Sequence, residues 1–212
     1  QKAYVPADVM TSAKAEGLVQ KVDNMALLFD VSDSMNTQYR TDSRLALGKA
    51  TSSQMVQTIP ADLKLNSELR MFGIAKLLAE ESTWLALRWT PIRSELQRSV
   101  DNICTRGLGL TPMAQALKAA GEDLKGQSGQ SAIILVSDFE DIEGMVDMNP
   151  KAILENVAKL KADYGDRVCI YPIQVDNAAG GKKLAEQIAA AGKCGFVENA
   201  DNLMTPAAMA AY

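Results

Sequence analysis

Three oxygen-bearing side chains follow the first strongly apolar run of the sequence at alternate positions. They are Asp30, Ser32 and Ser34, and the apolar run before them covers residues 25–29. A carboxylate and two hydroxyls offer only oxygen donors, which Mg²⁺, Mn²⁺ and Ca²⁺ prefer. One carboxylate carries too little negative charge to saturate a divalent cation, so other loops must complete the site.

Two further loops carry matching groups. Asp138 follows the second uninterrupted apolar run, residues 132–137, and Thr111 lies in a loop in which Gly107 and Gly109 are flexible points. Open α/β sheets bind ligands beyond the carboxyl ends of their parallel strands. If the two apolar runs are neighbouring strands, Asp30 and Asp138 face one crevice, which Thr111 can reach. The predicted cation site consists of Asp30, Ser32, Ser34, Thr111 and Asp138.

The elements that position these loops alternate between strands and helices. Uninterrupted apolar runs are typical of strands covered on both faces, and proline and glycine punctuate the segments between them. Helices are predicted over residues 43–58, 91–103, 113–124, 151–163, 182–191 and 206–211. Strands are predicted over residues 25–29, 69–74, 84–89, 132–137, 168–175 and 196–197, the second and third as a hairpin-like pair. This alternation predicts a doubly wound, Rossmann-like α/β sheet with helices on both faces.

Length and composition limit the class of protein. The chain has 212 residues, a net charge of −4 and 47% hydrophobic residues, which suffices for one sizeable core. We expect a helical extension over residues 1–23, with an amphipathic helix at residues 6–20, and one domain over residues 24–212. There is no run of about 18 apolar residues, so we expect no transmembrane segment.

Two classes of function are disfavoured by the same composition. No cluster of Lys and Arg is dense enough to follow a phosphate backbone, so we expect no nucleic-acid partner. The sequence contains no His, which removes the usual general base of hydrolase triads.

The cysteines and the start of the sequence bear on the compartment. The sequence begins at Gln1 rather than Met, so we expect that a leader or preceding segment has been removed, which favours export. Cys169 begins one predicted strand and Cys194 precedes the next, so these residues are either a disulfide or two small buried thiols. Cys104 is expected to be a buried thiol. We expect a periplasmic, cell-envelope or extracellular location.

The three loops together resemble the von Willebrand factor type A (VWA) domain and its metal-ion-dependent adhesion site (MIDAS). Asp-x-Ser-x-Ser at residues 30–34, then Thr111, then Asp138 follow the order of that family's motif. The resemblance covers residues 24–203 and implies a mostly parallel, six-stranded sheet with one short antiparallel edge strand. It also implies that Ser32 and Ser34 bind the metal directly, that the two carboxylates often act through water, and that Thr111 binds directly or through water.

The function implied by this resemblance is adhesion rather than catalysis. A divalent cation, Mg²⁺ or else Mn²⁺ or Ca²⁺, would capture an exposed Asp or Glu of a protein partner. The stretch from Cys169 to Cys194 resembles VWA domains of bacterial envelope proteins. Some of those carry an OmpA-like, peptidoglycan-binding domain, so any association with peptidoglycan would need a domain outside these residues.

The chain departs from the family pattern after Asp138. Phe139 stands where the family commonly has Gly, and Asp33, Glu140, Asp141 and Glu143 make the surroundings more acidic than the motif requires. We expect partner specificity at the rim of the site, which includes Met35, Tyr39, Phe139 and Met145.

An enzymatic alternative remains open. Residues 29–32, Phe-Asp-Val-Ser, are similar to the nucleophile loop of haloacid-dehalogenase-type phosphotransferases, which bind Mg²⁺ through a later pair of acids such as Asp138 and Asp141. That family has a second Asp where this chain has Ser32, and a serine hydroxyl is a poor general acid or base. This alternative predicts Mg²⁺-dependent phosphatase or phosphotransferase activity.

Overall fold

The computed structural model describes residues 3–9, 19–73, 83–140 and 149–212, in which strands and helices alternate along the chain. The strands are β1 (Asn24–Asp30), β2 (Gln38–Tyr39), β3 (Asp42–Ser43), β4 (Asn66–Phe72), β5 (Thr83–Thr90), β6 (Ser131–Ser137), β7 (Val168–Gln174) and β8 (Glu198–Asn199). The helices in these ranges are α1 (Arg44–Thr58), α2 (Arg93–Asp101), α3 (Met113–Asp123), α4 (Pro150–Tyr164), α5 (Ala179–Ala191) and α6 (Pro206–Ala211).

The main sheet is built around β1. Its six strands lie in the order β5-β4-β1-β6-β7-β8. β1 runs parallel to β4 and β6, whereas β5 pairs antiparallel with β4 at one edge. The order of the strands reverses beside β1, which brings the carboxyl ends of β1 and β6 together. The predicted doubly wound, mostly parallel sheet with one antiparallel edge strand is confirmed.

Both faces of the sheet are covered, which explains why β1 is apolar from Met25 to Phe29. Leu27 and Phe29 belong to the apolar cluster formed with α1, α2 and α6, whereas Ala26 and Leu28 belong to the cluster formed with α3, α4 and α5. Alternate side chains of one strand therefore enter two different halves of the core. None of the helices in the described ranges has the length and apolar content needed to cross a bilayer.

The last strand and one thiol differ from the predictions. β8 covers Glu198–Asn199 rather than residues 196–197, because the register of β7 with β8 begins at Ile173 and Glu198. The Phe196 ring instead packs edge-on against Tyr171 and Tyr212. Cys104 is exposed rather than buried, since it lies beyond the end of α2 in an irregular segment. The predicted helix at residues 6–20 falls mainly on residues 10–18, outside the described residues.

Of the two possibilities for the remaining cysteines, the structure has the disulfide. Cys169 and Cys194 are bonded, with their Cα atoms 5.0 Å apart. The main-chain N–H of Ile170 also donates to the carbonyl of Cys194 at 3.3 Å. The start of β7 is thereby tied to the loop that leads into β8.

Candidate metal centre

Asp30 is completely buried at the carboxyl end of β1. Its Oδ1 accepts a hydrogen bond from the main-chain N–H of Ser32 at 2.8 Å, and its Oδ2 accepts one from the hydroxyl of Ser137 at 2.6 Å. Ser137 ends β6, so these bonds fix the Asp30 carboxyl between its own loop and the neighbouring strand. Sequence reasoning did not identify Ser137 as part of the site.

The two serines of the motif converge on each other. Ser32 has an extended backbone and precedes the 3₁₀ turn Asp33–Asn36, which turns the chain back so that the Ser32 and Ser34 hydroxyl oxygens lie 3.1 Å apart. The main-chain N–H of Met35 donates to the Ser32 carbonyl at 3.2 Å and closes the turn. Two hydroxyl oxygens are therefore available at one point beside Asp30.

Asp138 joins the same group from the end of β6. Its side chain is buried, and its Oδ1 accepts a hydrogen bond from the main-chain N–H of Glu140 at 3.0 Å. Arg44 Nη1 lies 3.0 Å from Asp138 Oδ2 and 3.4 Å from the Ser34 carbonyl oxygen, so Asp138 lies beside the first loop. Asp30, Ser32, Ser34 and Asp138, four of the five predicted site residues, thus lie close together beyond the ends of β1 and β6.

The loop that precedes Thr111 is joined to the first loop by hydrogen bonds. The main-chain N–H of Asp33 donates to the Gly109 carbonyl at 2.8 Å. The Asn36 side chain both accepts from the Gly107 N–H and donates to the Gly107 carbonyl, each at 2.8 Å. Thr111 is buried two residues beyond Gly109. Asn36 was not identified from the sequence, although an Asn two residues after the motif can bond to main-chain groups in this way.

Two glycines permit this close approach of the loops. An ideal Cβ at Gly107 would lie 2.0 Å from the Ser32 carbonyl oxygen, and one at Gly73 would lie 2.6 Å from the Ser32 main-chain nitrogen. Gly73 also has a φ of +90°, which L side chains rarely adopt. The sequence predicts that Gly107 is a flexible point. In the structure its role is steric, because the Ser32 carbonyl leaves no room for a side chain at this position.

Phe139 keeps a left-handed backbone conformation that glycine usually provides. Its φ is 54°, and its main-chain N–H donates to the Ser137 hydroxyl at 2.9 Å. The ring is completely buried in the core beneath the site. Phe139 therefore adopts a turn conformation that glycine favours, at a cost on the order of 1 kcal/mol, and burial of the ring offsets this cost.

The predicted rim is partly wrong. Met35 and Phe139 are completely buried, because their side chains complete the apolar core on the two faces of the sheet. Tyr39 is half-buried, and its hydroxyl donates to Asp201 at 2.6 Å. Met145 lies outside the described residues, as do two of the predicted rim acids, Asp141 and Glu143.

Arg44 enters the site from the first turn of α1 and was missed in the sequence. Its Nη1 donates to Asp138 Oδ2 at 3.0 Å and to the Glu140 carboxylate, and its Nη2 lies 2.9 Å from Asp176 Oδ2. A cation in the first turn of a helix is disfavoured by the helix dipole. An arginine at this unfavourable position, shortly after the Asp-x-Ser-x-Ser loop, is the sequence signal that could have indicated acidic partners nearby.

The site has more negative than positive charge. Burial and the negative charge of Asp138 raise the pKa of Asp30 to about 7. Burial also raises the pKa of Asp138, against the lowering effects of its hydrogen bonds and of Arg44. Both shifts indicate carboxylates that lack sufficient compensating positive charge.

The donor set fits a hard divalent cation. Within the described ranges, no three His, Cys, Asp or Glu side chains form a metal-binding cluster, so a cation here depends on hydroxyl oxygens. Ser32 and Ser34 provide two, and the adjacent carboxyl groups of Asp30 and Asp138 provide compensating charge. Oxygen-only surroundings favour Mg²⁺, Mn²⁺ or Ca²⁺ over softer metals.

Sequence comparison and structure comparison give different results. No protein-family model and no curated protein matches the sequence. The PilB minor pilin from Streptococcus sanguinis, in contrast, superposes with a TM-score of 0.62 at 13% identity, over 91% of this chain and 60% of that chain.

Two further similar structures are described by the MIDAS motif or by the VWA domain. Proximal thread matrix protein 1 from the mussel byssus, with a zinc-occupied MIDAS motif, has a TM-score of 0.58 at 17% identity, over 90% of this chain and 46% of that chain. A von Willebrand factor type A protein from Catenulispora acidiphila has a TM-score of 0.57 at 19% identity, over 90% of this chain and 41% of that chain. This chain spans at most 60% of the length of these three proteins. The superpositions show that its fold is that of a VWA domain.

Proposed function

We propose that this VWA-type domain is a protein-binding module in which a divalent cation captures a carboxylate of the partner. The observation that carries the proposal is the convergence of Asp30, Ser32, Ser34 and Asp138 beyond β1 and β6, with a shortage of positive charge. The zinc-occupied MIDAS motif of the mussel protein, on the same fold, supports a cation at this position.

In this proposal each residue of the site has a distinct role. The hydroxyls of Ser32 and Ser34 hold the cation directly, and Thr111 completes the set directly or through water. Asp30 and Asp138 balance the charge through water, since both are already held by hydrogen bonds from the protein. A bound cation supplies an electrophilic position for an Asp or Glu oxygen, because uncharged hydroxyls leave its charge incompletely neutralised.

The cation and the compartment belong to the same proposal. We propose Mg²⁺, with Mn²⁺ or Ca²⁺ as alternatives, because all the available donors are oxygen. A location in the periplasm, cell envelope or extracellular space is supported by the disulfide and by the likeness to a pilin. The binding domain is proposed to occupy residues 24–212, preceded by the extension at residues 1–23.

Cation-dependent stabilisation is the first test. Adding Mg²⁺ or Mn²⁺ to protein stripped with a chelator should raise the melting temperature, since a ligand at 100 times its Kd adds about 2.7 kcal/mol. Asp30→Asn should abolish this response while preserving the fold, because the amide keeps an acceptor for the Ser32 N–H and removes a buried charge. Asp62→Asn, which removes an exposed acid from a turn away from the site, should respond like the wild type.

Calorimetry measures the heat of cation binding, and circular dichroism checks that Asp30→Asn keeps the fold. The absence of both heat of binding and thermal shift at millimolar cation in the wild type would contradict the proposed function. Mg²⁺-dependent release of phosphate from an aryl phosphate, lost in Asp30→Asn, would instead favour the phosphotransferase alternative.

A further inference from the structure

We propose that Arg44 is a resident counter-cation of the metal site, which neutralises Asp138 in the cation-free protein and thereby weakens binding of the divalent cation. This inference rests on the proposed function, because it concerns the same site. Its basis is the position of one buried guanidinium among three carboxylates from two loops, Asp138 and Glu140 after β6 and Asp176 after β7.

The contacts of Arg44 are those of a fixed, buried ion pair. Its side chain is 11% exposed, and the Asp138 and Asp176 side chains are 0% and 2% exposed. The planar guanidinium presents Nη1 to Asp138 and Nη2 to Asp176. Salt screens such buried pairs much less than surface pairs, so the positive charge of Arg44 acts on Asp138 with little screening under ordinary buffer conditions.

The guanidinium also reaches the residues predicted to hold the cation. Arg44 Nη1 lies 3.4 Å from the Ser34 carbonyl oxygen and 3.0 Å from Asp138 Oδ2. The other oxygen of Asp138, Oδ1, accepts from the Glu140 N–H. Both Asp138 oxygens therefore already have donors. A divalent cation must share this carboxylate with a positive charge a few ångströms away, and like charges repel.

Asp176 keeps Arg44 in place independently of Asp138. Its Oδ1 accepts from the Gln174 side chain at 2.7 Å and from the Ala178 N–H at 3.1 Å, and its Oδ2 forms an ion pair with Arg44 Nη2 at 2.9 Å without a hydrogen bond. Arg44 can thus release Asp138 and remain paired with Asp176 and Glu140. The competition is electrostatic, and it requires no rearrangement of the helix that carries Arg44.

Arg40 provides a matched control on the adjacent β2–β3 hairpin. It pairs with Asp201 at 2.7 Å, and its side chain is 63% exposed. The described contacts of its side chain are with Tyr39 and Asp201, neither of which is a predicted ligand. The same substitution at Arg40 and at Arg44 therefore separates the effect of charge at the site from that of losing any arginine.

The experiment is calorimetric titration of Mg²⁺ and Mn²⁺ into stripped wild type, Arg44→Met, Arg44→Lys and Arg40→Met. We expect at least tenfold tighter binding in Arg44→Met, and affinities close to wild type in the other two variants. In chelator, Arg44→Met should melt below the wild type, and saturating cation should abolish this difference in melting temperature. Arg44→Gln, which keeps a donor for Asp138, carries the same expectation if Arg44→Met does not fold.

The outcomes distinguish this inference from the proposed function. Cation binding in the wild type with equal or weaker binding in both neutral Arg44 variants overturns the inference and leaves the proposed function intact. Tighter binding in Arg44→Lys, where the positive charge is kept, also overturns it. Lack of binding in the wild type and in every variant overturns the proposed function, and the inference with it.

Discussion

Glu68 illustrates how burial alone can set the charge of a single residue. It lies on β4 with 0% exposure, and neither carboxyl oxygen has a hydrogen-bond partner among the described residues. The nearby Arg70 is paired with Asp123 at 2.6 Å. Burial and the negative charge of Asp123 raise the pKa of Glu68 to about 8, with Arg70 acting in the opposite direction. Glu68 is therefore mainly protonated in the folded protein at neutral pH.

Replacing Glu68 should change the pH dependence of stability. A carboxyl with its ordinary pKa of 4.5 in the unfolded chain and about 8 in the folded protein stabilises the fold below pH 4.5. This contribution is lost as the pH rises towards 8, by up to about 1.4 kcal/mol per pH unit. Urea unfolding of Glu68→Gln at pH 5, 6.5 and 8 should show increasing stability relative to the wild type. The exposed change Glu186→Gln is the control, and parallel profiles for Glu68→Gln and wild type would contradict the expectation.

At the scale of elements, the weakest edge of the sheet is held by a covalent bond. β8 has two residues and pairs with β7 at two positions, so few main-chain hydrogen bonds retain it. The Cys169–Cys194 disulfide closes a loop with a sequence separation of 25. The chain-entropy model assigns such a loop about 3.5 kcal/mol of stabilisation. The bond therefore compensates for the short pairing of β7 with β8.

Reduction should lower the free energy of unfolding by about 3 kcal/mol. The measurement is urea unfolding with and without reductant, with Cys104→Ser as a control that should not alter the difference. Alkylation without reductant should label Cys104, which is exposed, and leave the other two cysteines unmodified. Alkylation of all three in native protein, without reductant, would contradict the disulfide.

The elements also show what could be predicted from the sequence and what could not. β1 and β6 were recognisable because burial on both faces leaves an uninterrupted apolar run, and Asp30 and Asp138 follow those runs directly. β8 was misplaced because two residues carry no periodicity. Arg44 was missed because its partners Asp138 and Asp176 are distant in sequence, and only the folded sheet brings them together. The burial of Phe139 likewise follows from a turn that its residue type does not favour.

At the scale of the whole molecule, the two halves of the core share one sheet. Side chains of β1 and β6 alternate between the two apolar clusters, so neither half can lose its packing while the other keeps a complete sheet. β5, at the edge, carries Trp84 and Trp89. The Trp89 indole N–H donates to the Asp123 carbonyl at 2.9 Å and links this edge to α3. The arrangement favours unfolding as a single unit.

Unfolding should therefore be one transition. Tryptophan fluorescence reports on β5 and far-UV circular dichroism reports on all helices and strands, so the two urea curves should have the same midpoint and slope. A fluorescence transition at lower urea would mean that the β5 edge detaches first. Trp84→Phe leaves Trp89 as the remaining reporter and tests whether both tryptophans follow the same transition.

The close approach of Gly107 to Ser32 limits how this chain can vary. Residue 107 has no side chain with which to bind anything, yet any Cβ there would overlap the Ser32 carbonyl and force apart the loops that carry Ser32 and Thr111. The position is thus as intolerant of change as a ligand position. In a screen for substitutions that abolish binding, Gly107 would score with the proposed ligands, and its intolerance would reflect contact of backbone with backbone rather than contact with a cation.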